Sequence, residues 1–575
     1  MNKRAPLLRR ALCLAVIGLL AACSGQPAAQ QASTANAPVV AGASEPKAVE
    51  IGPTAAGEQV QFSVSLRLPG TAELDTYLHD LVTPGTSNYR QFLAPEEFGA
   101  RFGLSDTRIA PILAWLANAG LAGDLMPQRT SIAVSGSAGQ VSDLLGVKLV
   151  DWKNAAGKRY HVPVGDVTVP ANLGGDVAAV IGLNTEPIIQ PSAHPTPIKA
   201  GAGEGLVPST VATAYEIEAL HDAGLNGEGM TIAIVSFATF TPSDVELFDE
   251  TFGYAGGTPV ELVRLPGAIT ELDEGSGEVA LDIQVIRGIA PRAQIINYEG
   301  PNTSDGFAGI MARIVADGRA KIVSISWGLC ENWSAPSSMN AEQREFAAAF
   351  AAGISIFSSS GDDAAYDCRR VDISDNPFER DLSPGVDWPT SSPSVISVGG
   401  TFLTLREDGT YVEEAGWEEP LGGGGGGGGL SGIQERPEWQ VGLGVDNEAS
   451  NGKRQVPDVA GPADPTSGFV VTYTDSELGL VSGQVGGTSA AAPFWAASML
   501  LTQQLAAREG VAALGPLGPV LYQISAEQPA DAVFHDIVRG GNLLYSAGPG
   551  WDYSTGLGSP RVAPLARAIV DVLLR

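Results

Sequence analysis

In GGTSAAAPFWA, residues 486–496, Ser489 follows Gly-Gly-Thr and opens an Ala-rich run with a proline four residues on. That is the setting of a nucleophile at a helix start. A serine hydroxyl attacks only with a proton acceptor beside it, and the usual one is histidine. The chain has five histidines: His79, His161, His194, His221 and His535. His221 closes the helical stretch STVATAYEIEALHDAG, where a C-terminal cation is favourable, and His535 lies in FHDI. None has the small, Gly-rich surroundings that admit a substrate to a catalytic imidazole.

A carboxylate can take the place of the imidazole. GEVALDIQVIRGIAP holds Glu278 and Asp282 four residues apart, hence on one face of a helix. Val279, Leu281, Ile283, Val285 and Ile286 surround them, so the helix reads as buried. Two carboxyls in low dielectric do not both ionise easily, and the pair keeps a proton to higher pH. A third acid, Asp362 in SSSGDDAA, follows a strand and a glycine. If protonated, it is a hydrogen-bond donor for a developing oxyanion.

The elements that must position these groups come after residue 210. MTIAIVSF, AQIINYEG, KIVSISWG and GISIFSSSG are short apolar strands separated by helix-length segments. This rhythm predicts an α/β fold, a mostly parallel sheet with helices on both faces. Sites in such sheets gather at the carboxyl ends of strands, which singles out SWG (Ser326, Trp327, Gly328) and SSSGDD. Before residue 191, VQFSVSLRL, TAELDTYLHDLV, TRIAPILAWLANAGL and TSIAVSGSA alternate strand and helix patterns, predicting an α+β domain over 51–190. A Pro- and Gly-rich linker spans 191–209. The eight glycines at 422–429 read as a low-complexity loop, since no Lys-Ser or Lys-Thr helix start follows them to cradle phosphate.

With 575 residues, 44% apolar and 17% charged, the chain is globular and long enough for more than one domain. A net charge of −30 argues against nucleic-acid binding and suits an acidic medium. Lys3, Arg4, Arg9 and Arg10 precede ALCLAVIGLLAA, too short for a comfortable membrane span, and the run ends in LAAC. Residues 1–23 resemble a bacterial lipoprotein signal with Cys23 as the lipidated residue, and 24–50 read as a flexible tether. The protein is expected to be exported, either lipid-anchored in the cell envelope or released. Cys13 belongs to the export segment with Cys23; Cys330 and Cys368 remain, and an exported protein can pair them.

Together Glu278, Asp282, Asp362 and Ser489, in that order, resemble the sedolisin family of serine-carboxyl peptidases, subtilisin-fold enzymes that use a Glu-Asp pair in place of histidine. VSISWG, DWPTSSPSVISVGGTFL, RPEWQ, VPDVAGPADP and GGTSAAAPFWA are similar to family blocks in family order. Residues 51–190, including SNYRQFLAPEEFGARFG, resemble a kumamolisin-type propeptide, a ferredoxin-like α+β domain serving as intramolecular inhibitor and chaperone. The resemblance implies that Ser489 is the nucleophile, Glu278 its base, Asp282 the residue orienting Glu278, and Asp362 the oxyanion donor with the Ser489 N–H. It implies backbone binding of protein or peptide substrates by Ser326, Trp327 and Gly328. One structural Ca2+ is implied on Asp536, Asp552 and the carbonyls of Ile537, Gly548 and Gly550. A Cys330–Cys368 disulfide would brace the substrate edge and the oxyanion loop. The implied activity is an acid endopeptidase made as a zymogen and processed in the linker, with 210–575 as the peptidase domain. A tripeptidyl exopeptidase, or a silent peptide-binding lipoprotein, remains open at this stage.

Overall fold

TIAIVS (231–236) and IVSI (322–325) place β-branched residues at consecutive positions, so strands built from them must be covered on both faces. In the computed structural model they lie at the centre of one sheet. Its order is Glu261–Arg264, Gln294–Glu299, Thr231–Ser236, Ile322–Ile325, Ser355–Ser359, Ile396–Leu405 and Tyr411–Gly416, with Val459–Pro462 also paired to Ile396–Leu405. All pairings are parallel except that of Tyr411–Gly416. The structure describes residues 48–154, 157–192, 194–196, 205–254, 256–303, 305–369, 383–420, 424–529 and 531–575. Cys13, Cys23, the expected signal and most of the tether lie outside them.

Helices Ser276–Ile289 and Thr488–Arg508 pack on each other and against the central strands. Gly306–Asp317 and Pro336–Ala351 form a second pair, the first of them against Thr231–Ser236 and Gln294–Glu299. The single helix expected over 209–224 is two short ones, Pro208–Ala214 and Glu218–Asp222. Glu216 takes φ 61 between them, which sends Tyr215 and Ile217 into the core. The Tyr215 hydroxyl then donates to Glu414 Oε1 at 2.7 Å. Tertiary burial outweighs helix propensity here.

The N-terminal domain has an antiparallel sheet ordered Ala122–Leu125, Ser131–Ser137, Gln59–Leu66 and Val177–Ile181. With helices after its first and third strands in chain order, this is the ferredoxin-like arrangement. Val60, Phe62, Ile112, Leu116 and Val134 form its own core, while Leu74, Tyr77, Phe98 and Phe102 join the core of the larger domain. It docks on helix Pro336–Ala351: Leu93 N–H donates to Ala351 O at 2.9 Å. Glu345 accepts from Gln128 Nε2 at 3.0 Å and Ser131 Oγ at 3.1 Å. Among the described residues no helix is long and apolar enough to cross a membrane.

Candidate active site

Ser489 is the second residue of helix Thr488–Arg508, which starts where strand Gly479–Gly486 ends. The turn between them is made by Gly487 at φ 119, a conformation side chains rarely adopt. Ser489 is buried, and its Oγ donates to the Ser326 carbonyl at 3.2 Å. Ser326 follows strand Ile322–Ile325 directly, and its own Oγ lies 2.6 Å from Asp282 Oδ1 and 3.2 Å from the Ser489 carbonyl. One hydroxyl therefore ties the Asp282 helix to the Ser489 helix. Its link to Asp282 was not legible in the sequence, where Ser326 reads only as part of the substrate edge.

Glu278 and Asp282 stand one turn apart on Ser276–Ile289, 3% and 0% exposed. Every residue from Glu278 to Ile289 is buried, as the apolar surroundings predict. Burial pushes the Asp282 carboxyl well above the usual carboxylate range, against the opposing pull of the Ser326 hydrogen bond. At the far end of this helix His221 Nε2 lies 2.8 Å from the Ile289 carbonyl, so this histidine serves a helix terminus. His535 stacks on Tyr411 with centroids 3.8 Å apart, and burial depresses it to about 4.

Asp362 lies just beyond strand Ser355–Ser359 and is largely buried. Its Oδ1 accepts the Thr488 N–H at 2.8 Å and the Thr488 hydroxyl at 2.7 Å. With Oδ1 accepting twice, a proton on this carboxyl belongs on Oδ2. Thr488, which was not singled out from the sequence, adjoins Ser489 and holds Asp362 Oδ1. Asp367 and Asp387 beside this loop are pushed well above the usual range, first by burial and then by neighbouring acids that include Asp363 and Asp362. Ionisation of Asp367 and Asp387 is therefore disfavoured.

The glycine run is not a loose loop in its described part. Gly425 N–H donates to the Asp362 carbonyl at 3.0 Å, and Ala364 N–H donates to the Gly425 carbonyl at 2.9 Å. A Cβ on Gly427 would sit 2.2 Å from the Ser360 carbonyl oxygen. Glycine is required because one backbone is threaded directly against another. From Gly425 to Gly428 the run is a loop, as expected, but one packed against backbone rather than exposed.

Strand Trp327–Cys330 pairs antiparallel with Asp387–Trp388 on one side and Gln190–Pro191 on the other. The Trp327 indole is buried and meets Phe237 edge-on, centroids 5.6 Å apart. A Cβ on Gly328 would lie 2.9 Å from Asp387 Oδ2, so this edge tolerates no larger residue without a shift. A disulfide joins Cys330 to Cys368, linking the edge to the Asp362 loop as anticipated.

Asp536 and Asp552, from different segments, converge on one loop. Gly550 N–H donates to Asp536 Oδ1 at 3.0 Å, and Gly548 N–H to Asp552 Oδ2 at 3.1 Å. Burial raises both carboxyls, Asp552 to about 6. Two partly desolvated carboxylates beside the backbone of Ile537, Gly548 and Gly550 fit a hard, oxygen-seeking cation. A second acidic cluster, Glu58, Asp151 and His161, lies in the N-terminal domain. Arg159 Nη2 reaches both its carboxylates at 2.5 Å, so a cation already bridges them.

Residues 46–185 match the family described as Pro-kumamolisin, activation domain, and residues 267–516 match the Subtilase family. The fold and site thus define a subtilisin-like serine peptidase preceded by an activation domain. The chain is 34% identical over 547 residues to kumamolisin of Bacillus sp. (strain MN-32), spanning 91% of this chain and 94% of that protein. It is 30% identical over 540 residues to sedolisin of Pseudomonas sp. (strain 101), spanning 90% and 88%. A solved structure of Pseudomonas sedolisin, a serine-carboxyl proteinase complexed with two molecules of pseudo-iodotyrostatin, matches with a TM-score of 0.53 at 29% identity, covering 64% of this chain and 99% of that one. The chain belongs to the sedolisin family of serine-carboxyl peptidases, with a kumamolisin-type propeptide.

Proposed function

We propose that this protein is an acid-active endopeptidase made as a self-processing zymogen. The observation that carries the reading is the buried connection Ser489–Ser326–Asp282, which joins the nucleophile's helix to the acid pair. In this reading Ser489 attacks the scissile carbonyl and Glu278 takes its proton. Asp282 holds Glu278 in place and shares the pair's charge. The Ser489 N–H and a proton on Asp362 Oδ2 receive the oxyanion. Glu278 then protonates the leaving amine, and water resolves the acyl-enzyme. Asp362 must be neutral while the pair holds one negative charge, and both conditions coincide only in acid.

Endopeptidase action is favoured by the non-prime side of the cleft. Chain continues past Pro191 and Gln190 to Ile189, whose N–H and carbonyl both bond Asn302, at 3.0 and 2.8 Å. In this reading the cleft holds chain beyond three residues on that side, as the chain's own segment does. Asp536, Asp552 and the carbonyls of Ile537, Gly548 and Gly550 would hold a calcium ion, which would supply fixed positive charge there. Export with lipidation at Cys23 rests on the sequence of residues 1–23.

The test is hydrolysis of N-blocked and free peptides across pH by the wild type, Ser489→Ala and Glu278→Gln. Internal cleavage of blocked peptides, maximal in acid and lost in both variants, is expected. A maximum near pH 8, or cleavage of free N-termini alone, refutes the reading.

A further inference from the structure

We infer, resting on the peptidase reading above, that the first bond this chain cuts in itself is the peptide bond on the carboxyl side of Ser192. From Ile189 to Ser192 the propeptide's end lies in the cleft as a substrate would. Gln190 is opposite Gly328 and Pro191 opposite Trp327, in antiparallel register. Ser192 N–H donates to the Ser326 carbonyl at 3.2 Å, the same oxygen that accepts the Ser489 hydroxyl at 3.2 Å. An amide nitrogen and the carbonyl carbon of its own residue are only about 2.5 Å apart. The carbonyl presented to Ser489 is thus that of Ser192.

The far side of the bond is held in the same manner. His194–Thr196 pair antiparallel with Gln484–Gly486, the strand end that runs through Gly487 and Thr488 to Ser489. Main-chain ladders therefore grip the chain before and after Ser192, a mode that positions a bond with little demand on side chains. The Ser192 side chain itself meets Ser359 Oγ at 3.3 Å, at the end of the strand leading to Asp362. A small polar residue fills this position, and the nucleophile's two neighbouring strands both touch it.

In the step itself Ser489 Oγ bonds to the Ser192 carbonyl carbon, and its proton passes to Glu278. The bond to the next nitrogen breaks, and that proton goes to the departing amine. Water then releases the Ser192 carboxylate, leaving a new N-terminus that reads AHPTPIK. The Gln190–Ser192 strand stays paired to the edge after the cut, so the propeptide continues to block the cleft until its domain departs.

Full-length precursor purified at neutral pH is acidified and quenched over a time course, and the earliest fragments are read by intact mass and N-terminal sequencing. The expected pair ends at Ser192 and begins at Ala193. Ser192→Pro, which removes the N–H given to Ser326, is expected to slow this cut at least tenfold, while Ser192→Ala leaves it within about twofold. Hydrolysis of a separate peptide is measured in the same samples. Peptide hydrolysis with first fragments beginning elsewhere, or an unaffected Ser192→Pro, overturns the inference and leaves the peptidase reading standing. Absence of both self-cleavage and peptide hydrolysis overturns the two together.

Discussion

Removing the Ser326 hydroxyl separates a structural from a chemical role for the acid pair. Ser326 Oγ lies 2.6 Å from Asp282 Oδ1, with both groups fully buried. A buried hydrogen bond to an ionised group contributes about 1.5–3 kcal/mol. At about 1.36 kcal/mol per unit, its loss corresponds to roughly one to two pKa units. The sign is fixed by the donor, which favours ionised Asp282 against the burial that raises it. In Ser326→Ala the pair holds its proton to higher pH, so the acid limb of kcat/KM moves upward by about one to two units. At the optimum kcat falls about 10- to 100-fold, while KM changes little because the main-chain edge is untouched. The assay is a pH series on an N-blocked peptide for the wild type, Ser326→Ala and the conservative Ser326→Thr. An acid limb that stays put or moves down, or a loss confined to KM, refutes the reasoning.

Thr488→Val removes the 2.7 Å hydroxyl donor to Asp362 Oδ1 while keeping shape, so the neutral acid persists to higher pH. The alkaline limb should rise by up to about one unit with a lower kcat, and a downward shift refutes it. Chelation is expected to lower the wild-type melting midpoint by at least about 5 °C, reversed by calcium, and to leave Asp552→Asn unaffected. An unchanged wild-type midpoint refutes the site. His161, buried and lowered from 6.5 chiefly by desolvation, contributes stability that is full above 6.5 and lost as pH falls through its folded value. In an uncut Ser489→Ala background, His161→Phe should flatten the fall in N-terminal-domain stability on acidification, followed by thermal unfolding; an unchanged slope refutes it.

The acid pair was legible because a four-residue spacing and an all-round apolar helix are local signals, and Ser276–Ile289 is buried as they imply. Asp362 was legible because a strand end in a parallel sheet is a fixed place. What the sequence could not carry depends on contacts between distant segments. The Ser326 hydroxyl reaches Asp282 across a separation of 44 residues, and Thr488 reaches Asp362 across 126. Neither partner is implied by composition or period. The packing of the glycine loop was hidden for a related reason, since composition does not reveal that Gly427 lies against the Ser360 backbone. The helix over 209–224 failed at Glu216, where burial of Tyr215 and Ile217 on either side overrides a continuous pattern.

The direction of the pH response follows from where the titrating groups lie. At the docking face, burial raises Glu345 above the ordinary carboxylate range, against hydrogen bonds from Gln128, Thr130 and Ser131 and the charge of Arg344. Glu345 therefore holds its proton to higher pH than an ordinary carboxyl while these contacts are made. Inside the propeptide the signs reverse. Burial raises Asp151, but hydrogen bonds from Thr54 and Arg159 outweigh it and leave it low, so its contribution is lost only below about 3.8. His161 faces Glu58, Asp151 and Arg159, and its backbone is held by Thr185. Its contribution begins to be lost already below 6.5, before that of Asp151. Acid thus loosens the domain through His161 and then Asp151.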